Sequence, residues 1–298
     1  MPPAPLTIQR RDTGFDLPLN GMQITSWVVL TFLTVTSFVA ALPLPVYPGF
    51  QIIFAIAVLW IIGCVVFCTA TDPGTGHKAI PVPFDRTKHA HVIERGFCNV
   101  CQINVETGTK HCRKCNKCIP DFDHHCKWLN NCIGSKNYRS FIVLVLSLVL
   151  FSLFTFIFFC WSLVHFISTT THEQPVPDDF IKDRLYFDVW NWFILTTIIL
   201  VMFGIVCAST LHLLSFHIML FFNNQTTFSY IVKQKIKNKT IVENTDHSPN
   251  STKSLPSMSQ NSSAITDTLP SLRQNHVAPL VLSNQLNEDV QPQIANMV

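Results

Sequence analysis

The sequence predicts an all-α membrane fold, with four transmembrane helices and a cytosolic cysteine-rich domain set between spans 2 and 3. Three observations predict it. Hydrophobic residues make up 48% of the chain and charged residues 13%, where a soluble domain carries about 25% charged residues, and the mean hydropathy is +0.30. Apolar runs long enough to cross a hydrocarbon layer of about 30 Å recur four times. Between the second and third runs, seven cysteines and three histidines crowd into residues 98–132, a density that no apolar core requires.

Residues 1–23 carry Arg10, Arg11, Asp12, Asp16 and several prolines but no apolar stretch that could form the core of a secretory signal, so membrane targeting falls to a span. Residues 24–70 hold transmembrane helices 1 and 2: Ile24 to Leu42, a break at Pro43, Pro45 and Pro48, then Phe50 to Ala70, closed by Asp72-Pro73-Gly74. Residues 71–140 form the cysteine-rich domain and carry eleven Lys or Arg. Span 3 covers 141–167 and is rich in phenylalanine. Its simplest reading is a packing and lipid-facing surface; the alternative is that some rings line an acyl-chain groove. Residues 168–191 set only Lys182 and Arg184 against Glu173, Asp178, Asp179, Asp183 and Asp188, and span 4 covers 192–222. Cytosolic loops attract positive residues, so the cysteine-rich domain and both termini are expected in the cytosol and the acidic loop in the lumen.

The tail, 223–298, opens with Lys233, Lys235, Lys237 and Lys239 and turns to Ser, Asn, Gln and Thr from about Asn244, a composition that predicts disorder. Asn250 and Asn261 fit the glycosylation pattern but would not meet the transferase in the cytosol. A net charge of +3 without an aromatic-flanked basic patch argues against nucleic acid as a partner. The spans carry too few ionisable residues for a channel or transporter; His212 and His217, near the cytosolic end of span 4, read as hydrogen-bonded packing residues.

The spacings Cys98/Cys101 and Cys112/Cys115, with Cys118 three residues on, let two thiolates from one turn reach one ion, which is how structural zinc is held. Tetrahedral zinc takes four ligands and residues 98–132 offer ten candidates, so two closed sites leave a remainder. That remainder falls in the crowded Asp123-His124-His125-Cys126 run as one cysteine and one histidine. A thiol beside an imidazole, with a carboxylate close by, has the parts of an activated nucleophile. The plainer alternative makes Cys126 a spare ligand or a buried thiol.

Asp123-His124-His125-Cys126 within a cysteine-rich domain, followed by Asn130-Asn131-Cys132-Ile133-Gly134 and Asn137-Tyr138, resembles the zinc-finger DHHC family of protein S-acyltransferases, or palmitoyltransferases. Lys127-Trp128, where most of the family has proline then tryptophan, is similar to the branch containing vertebrate members one and eleven. The resemblance covers about residues 20–232 and implies that Cys98, Cys101, His111 and Cys118 hold one structural zinc and Cys112, Cys115, His125 and Cys132 the other. It leaves Cys126 as nucleophile, His124 as its base and Asp123 to orient His124. Asn224-Gln225-Thr226-Thr227-Phe228-Ser229 resembles a family motif ending in glutamate. Thr227, grouped here with the acyl-donor-binding residues, matches the threonine that contacts the aspartate, whereas Ser229 departs from the glutamate.

Exchange of one thioester for another is nearly isoenergetic, so acyl-CoA is the natural donor and a protein cysteine the natural acceptor. The resemblance implies palmitoyl-CoA as donor substrate, membrane lipid as surroundings, and cytosol-facing proteins with membrane-proximal cysteines as acceptors. It also implies an endoplasmic reticulum or Golgi/endosomal membrane. Lys127 and Ser229 motivate an alternative, a catalytically weak membrane adaptor that keeps the zinc scaffold. Finally, a residue 13 positions beyond Tyr138 lies about 20 Å deeper along a helix, near the reach of an extended sixteen-carbon chain. That residue is Phe151, which with Phe154 is expected to close the floor of an acyl groove.

Overall fold

The apolar runs become helices α1 (Gly21–Ala41), α2 (Gly49–Ala70), α3 (Tyr138–Thr171) and α4 (Val189–Phe222), each long and apolar enough to cross a membrane. The computed structural model describes residues 9–42, 44, 48–76, 80–171 and 189–246. Most of the acidic loop and the tail beyond Asp246, with Asn250 and Asn261, lie outside the described residues.

Lipid tails are as apolar as leucine, so these helices associate through close packing rather than by escape from water. Small polar residues make that approach possible: Ser152, Thr155 and Ser162 on α3 and Thr196 on α4 are all buried, and Ser152, Thr155 and Ser162 return their hydroxyls to carbonyls of their own helix. Larger rings fill the space between. Phe151 meets Phe54 of α2 and Phe203 of α4 at ring-centroid distances of 5.1 and 5.8 Å, and the Trp192 indole donates to the Ala40 carbonyl of α1 at 2.9 Å. The phenylalanines of α3 therefore divide. Phe141, Phe151, Phe159 and Phe166 are buried, while Phe154 is 38% exposed.

Between α2 and α3 the chain forms seven strands of two or three residues, β1 (Ile93–Glu94), β2 (Phe97–Cys98), β3 (Ile103–Asn104), β4 (Lys110–Cys112), β5 (Lys117–Ile119), β6 (His124–Cys126) and β7 (Asn131–Ile133). They pair antiparallel as β1-β2-β3, β4-β5 and β6-β7. Ladders this short need another source of cohesion, and the cysteine and histidine clusters described below are built on these strands and the turns beside them. The domain is fastened to the end of α2 by side chains. Asn131 Nδ2 donates to the carbonyls of Cys68, Thr69 and Thr71 at 3.0, 3.3 and 2.7 Å, satisfying acceptors that a helix C-terminus leaves open. Asp72 accepts from Lys117 Nζ at 2.6 Å and Arg10 Nη2 at 3.1 Å.

After α4, helix α5 spans Thr227–Asp246, almost all of it ahead of the stretch from about Asn244 whose composition reads as disordered. Its start is fixed from outside. Asp123 Oδ1 accepts from the Thr227 amide at 2.8 Å and the Asp123 carbonyl from the Phe228 amide at 3.1 Å, so the carboxylate and backbone carbonyl of one distant residue cap the first amides of the helix. The chain divides after Phe228, and the described part of the second unit is the remainder of α5. The four lysines at every second position fall on two faces of this helix rather than on one.

Candidate active site

Each Cys-x-x-Cys pair closes a tight turn whose next residue takes the left-handed conformation, Gln102 at φ 54° and Asn116 at φ 51°. In the first turn the Gln102 amide donates to the Cys98 carbonyl at 2.8 Å and the Cys101 amide to Cys98 Sγ at 3.3 Å. Strand alternation then sorts the ligands. His111 stands opposite Cys118 across β4–β5 and shares its face, while the adjacent Cys112 points the other way. Likewise His125 stands opposite Cys132 across β6–β7, which leaves His124 and Cys126 on the other face.

Two buried clusters result, Cys98-Cys101-His111-Cys118 and Cys112-Cys115-His125-Cys132. His111 Nδ1 lies 3.8, 3.3 and 3.9 Å from the sulfurs of Cys98, Cys101 and Cys118. His125 Nδ1 lies 3.8, 3.4 and 3.5 Å from those of Cys112, Cys115 and Cys132. Tetrahedral zinc, with Zn–S near 2.3 Å and Zn–N near 2.0 Å, sets its ligand atoms about 3.5–3.8 Å apart. Both donor sets fit zinc, and each is a closed Cys3His set of the structural kind.

The face that the clusters leave aside carries a chain of hydrogen bonds. His124 Nδ1–H donates to Asp123 Oδ2 at 2.7 Å. Thr227 Oγ1 donates to the same oxygen at 2.7 Å and the Thr227 amide to Oδ1 at 2.8 Å. Cys126 shares the face of β6 with His124 and lies near enough to raise its pKa; with Nδ1 directed to Asp123 it is Nε2 that remains for the thiol. Burial would hold the Asp123 carboxyl above its usual range, but His124 and the two Thr227 donors outweigh it and hold it below. Burial would likewise lower His124, yet the hydrogen bond to Asp123 and the nearness of Cys126, with their charges, raise it to about 9.

This face looks onto the ends of the spans. Cys126 packs in an apolar cluster with Cys68, Leu129, Ile133, Phe141 and Leu144. The His124 ring meets Phe141 edge-on at 5.2 Å. His217 lies 6.0 Å from the His124 ring and its Nδ1 is 3.3 Å from the Tyr138 hydroxyl. His217 is thus a partnered, buried residue, as its sequence context suggests, but it stands beside His124. The only signal available for that was a polar residue inside a span.

Of the residues grouped around the acyl donor, Thr227 sits on Asp123 with both its donors directed there. Phe151 lies in the helix core on Phe54 and Phe203, and Phe154 stacks on Phe50 at 5.7 Å. Neither phenylalanine belongs to the apolar cluster around Cys126.

A four-span membrane fold carrying a domain with two Cys3His clusters, and beside them Asp123, His124 and Cys126, defines a class of membrane-embedded thiol proteins. A family model described as DHHC palmitoyltransferase matches residues 91–234, a range that takes in both metal clusters, Cys126 and Thr227. The chain is 33% identical over 255 residues to human "Palmitoyltransferase ZDHHC11", covering 76% of this chain and 60% of that protein. To mouse "Palmitoyltransferase ZDHHC11" it is 31% identical, covering 79% and 73%, and to human "Palmitoyltransferase ZDHHC1" 33% identical, covering 76% and 51%. The chain belongs to the DHHC palmitoyltransferase family, in the branch of these relatives, and it spans 60% of the length of human ZDHHC11.

Proposed function

We propose that the protein is an S-acyltransferase that moves palmitate from palmitoyl-CoA to cysteines of membrane-associated proteins through an acyl-enzyme on Cys126. The observation that carries this reading is the hydrogen-bonded chain Thr227–Asp123–His124 with Cys126 beside His124 on the strand face that the metal clusters leave aside, directed at the ends of the spans.

Only a few per cent of an ordinary thiol is ionised at neutral pH. His124 Nε2 takes the Cys126 proton ahead of attack, giving a thiolate beside an imidazolium that Asp123 stabilises, in line with the raised pKa of His124, and Sγ then attacks the thioester carbonyl. The new bond joins Cys126 Sγ to the acyl carbon. The carbon–sulfur bond to CoA breaks, and the proton on His124 leaves with the CoA thiolate. In the second half the substrate cysteine gives its proton to His124 and attacks the same carbon, and the acyl group moves to it as Cys126 regains the proton. An acyl chain directed into the spans avoids the roughly 0.8 kcal/mol per exposed methylene that water would impose. Zinc, which the two Cys3His sets would hold, would supply fixed hairpin geometry.

The metal domain and both termini are assigned to the cytosol from the charge asymmetry of the loops, and the acceptors are proteins whose cysteines lie close to an endoplasmic reticulum or Golgi/endosomal membrane. The adaptor alternative rests on Lys127 and Ser229; the intact Asp123–His124 and Asp123–Thr227 hydrogen bonds favour turnover. Labelling of purified wild type with clickable palmitoyl-CoA beside Cys126→Ser tests the proposal. A hydroxylamine-sensitive label is expected on the wild type alone, with zinc retained in both, and equal label on the variant would refute it.

A further inference from the structure

The segment before α1 has no part in the chemistry above, yet it is built into the turn behind the nucleophile. Cys126 ends β6, and the chain turns through Lys127–Asn130 to reach Asn131, its partner on β7. That turn closes on Asn130 at φ 51°, a conformation in which Cβ crowds the backbone and which asparagine tolerates better than most residues.

Arg11 holds Asn130 there. Its Nη1 donates to Asn130 Oδ1 at 2.9 Å and its Nη2 to the Asn130 carbonyl at 3.3 Å. Asn130 Nδ2 donates back to the carbonyls of Gly14 and Pro18, each at 3.2 Å. At its other end the Arg11 amide donates to the carbonyl of Cys115, a member of the second metal cluster, at 2.9 Å. One buried residue therefore ties the turn after Cys126 to the cluster that holds His125.

Gly14 wedges the opposite side. Its amide donates to the Thr69 carbonyl at the end of α2 at 2.8 Å, and a Cβ at this position would stand 2.1 Å from the Leu129 carbonyl oxygen and 2.8 Å from Thr69 Cγ2. The segment is folded to fit by Asp16, whose carboxylate accepts from the amides of Asp12 and Thr13 at 2.7 and 3.0 Å and from the Thr13 hydroxyl at 3.1 Å.

We propose that the segment from Arg11 to Pro18 is a strap that sets the placement of Cys126, with Arg11 and Gly14 as positioning residues. The proposal rests on the reading of Cys126 as nucleophile. In zinc-loaded, full-length protein, Arg11→Met and Gly14→Ala are expected to lower kcat for Cys126 acylation by about 100-fold, the scale of a 1 Å misplacement, with KM for palmitoyl-CoA moving by less than about threefold. Both metal clusters stay loaded, and Arg11→Lys, which keeps the cation and one line of donation to Asn130, recovers part of the rate. Wild-type rates in both variants overturn the proposal. So does loss of zinc in step with activity in both, which makes the strap a stabiliser of the metal domain and nothing more. Modification of Cys126 by a small maleimide, mapped by mass spectrometry, reads the same nucleophile without acyl-CoA. If the wild type accepts no acyl group while its maleimide rate still exceeds that of the variants, the acyltransferase reading fails and the strap stands.

Discussion

Thr227 donates both its backbone amide and its hydroxyl to the carboxylate of Asp123, at 2.8 and 2.7 Å, across 104 residues of chain. The same carboxylate accepts from His124 Nδ1 at 2.7 Å. Asp123 thus caps the start of one helix and orients the imidazole beside Cys126. Thr227→Val keeps the shape and the amide and removes the hydroxyl. A hydrogen bond to a charged group is worth about 1.5–3 kcal/mol, so acylation of Cys126 should slow by roughly ten- to a hundredfold with zinc retained. An unchanged rate in a single-turnover assay would show that the hydroxyl does not act through His124.

Adjacent histidines on opposite faces of β6 should fail in different ways. His124→Ala should slow acylation steeply and keep the zinc, whereas His125→Ala removes a ligand from the second cluster and should release zinc and unfold the domain. Zinc content and rate, measured on both variants, check the division; equal zinc loss in the two would contradict it.

Lys117 carries a side chain only 1% exposed, and its ammonium reaches Asp72 at 2.6 Å and the Asp12 carbonyl at 2.7 Å. Asp72→Asn leaves that buried cation without its carboxylate and loosens the joint between the metal domain and α2. A loss of about 1.5–3 kcal/mol is expected, read as a lowered unfolding temperature of the full-length protein. No shift would mean that Asp12 and solvent suffice for Lys117.

For chain length, Phe151 remains the proposed floor of the acyl groove, because it sits in the helix core between Phe54 and Phe203. Phe154, stacked on Phe50 and 38% exposed, is the weaker of the two candidates. Phe151→Ala should raise the ratio of stearoyl to palmitoyl transfer in direct competition, and Phe154→Ala should leave it nearer the wild-type value. A ratio unmoved by Phe151→Ala assigns that ring to helix packing alone.

In intact microsomes, added protease should remove the tail and attack residues 71–140 while the loop at 168–191 stays protected. Glycosylation of Asn250 or Asn261 would reverse the proposed orientation.

Spans and metal domain were legible in the sequence because each depends on local composition or spacing. Apolar runs of about 20 residues have few fates other than crossing a bilayer, and Cys-x-x-Cys turns bring two sulfurs together whatever surrounds them. Counting ligands against tetrahedral zinc then left a thiol and an imidazole over without any knowledge of the fold. The placement of His217 beside His124 escaped, since a buried histidine near a span end has the same sequence context whether it packs there or elsewhere.

What only the tertiary structure decided is the strand geometry that brings each ligand set together and the contacts that brace the turn after Cys126. His111 and Cys112 are neighbours in sequence yet serve different clusters, because successive side chains of a strand point to opposite faces and the register of β4 on β5 sets which face is which. The strap at Arg11 and the cap at Thr227 lie 119 and 104 residues from their partners Asn130 and Asp123. Contacts at that separation leave no periodicity in the chain; they arise when the ends of the spans and the metal-held hairpins converge at one point on the membrane surface.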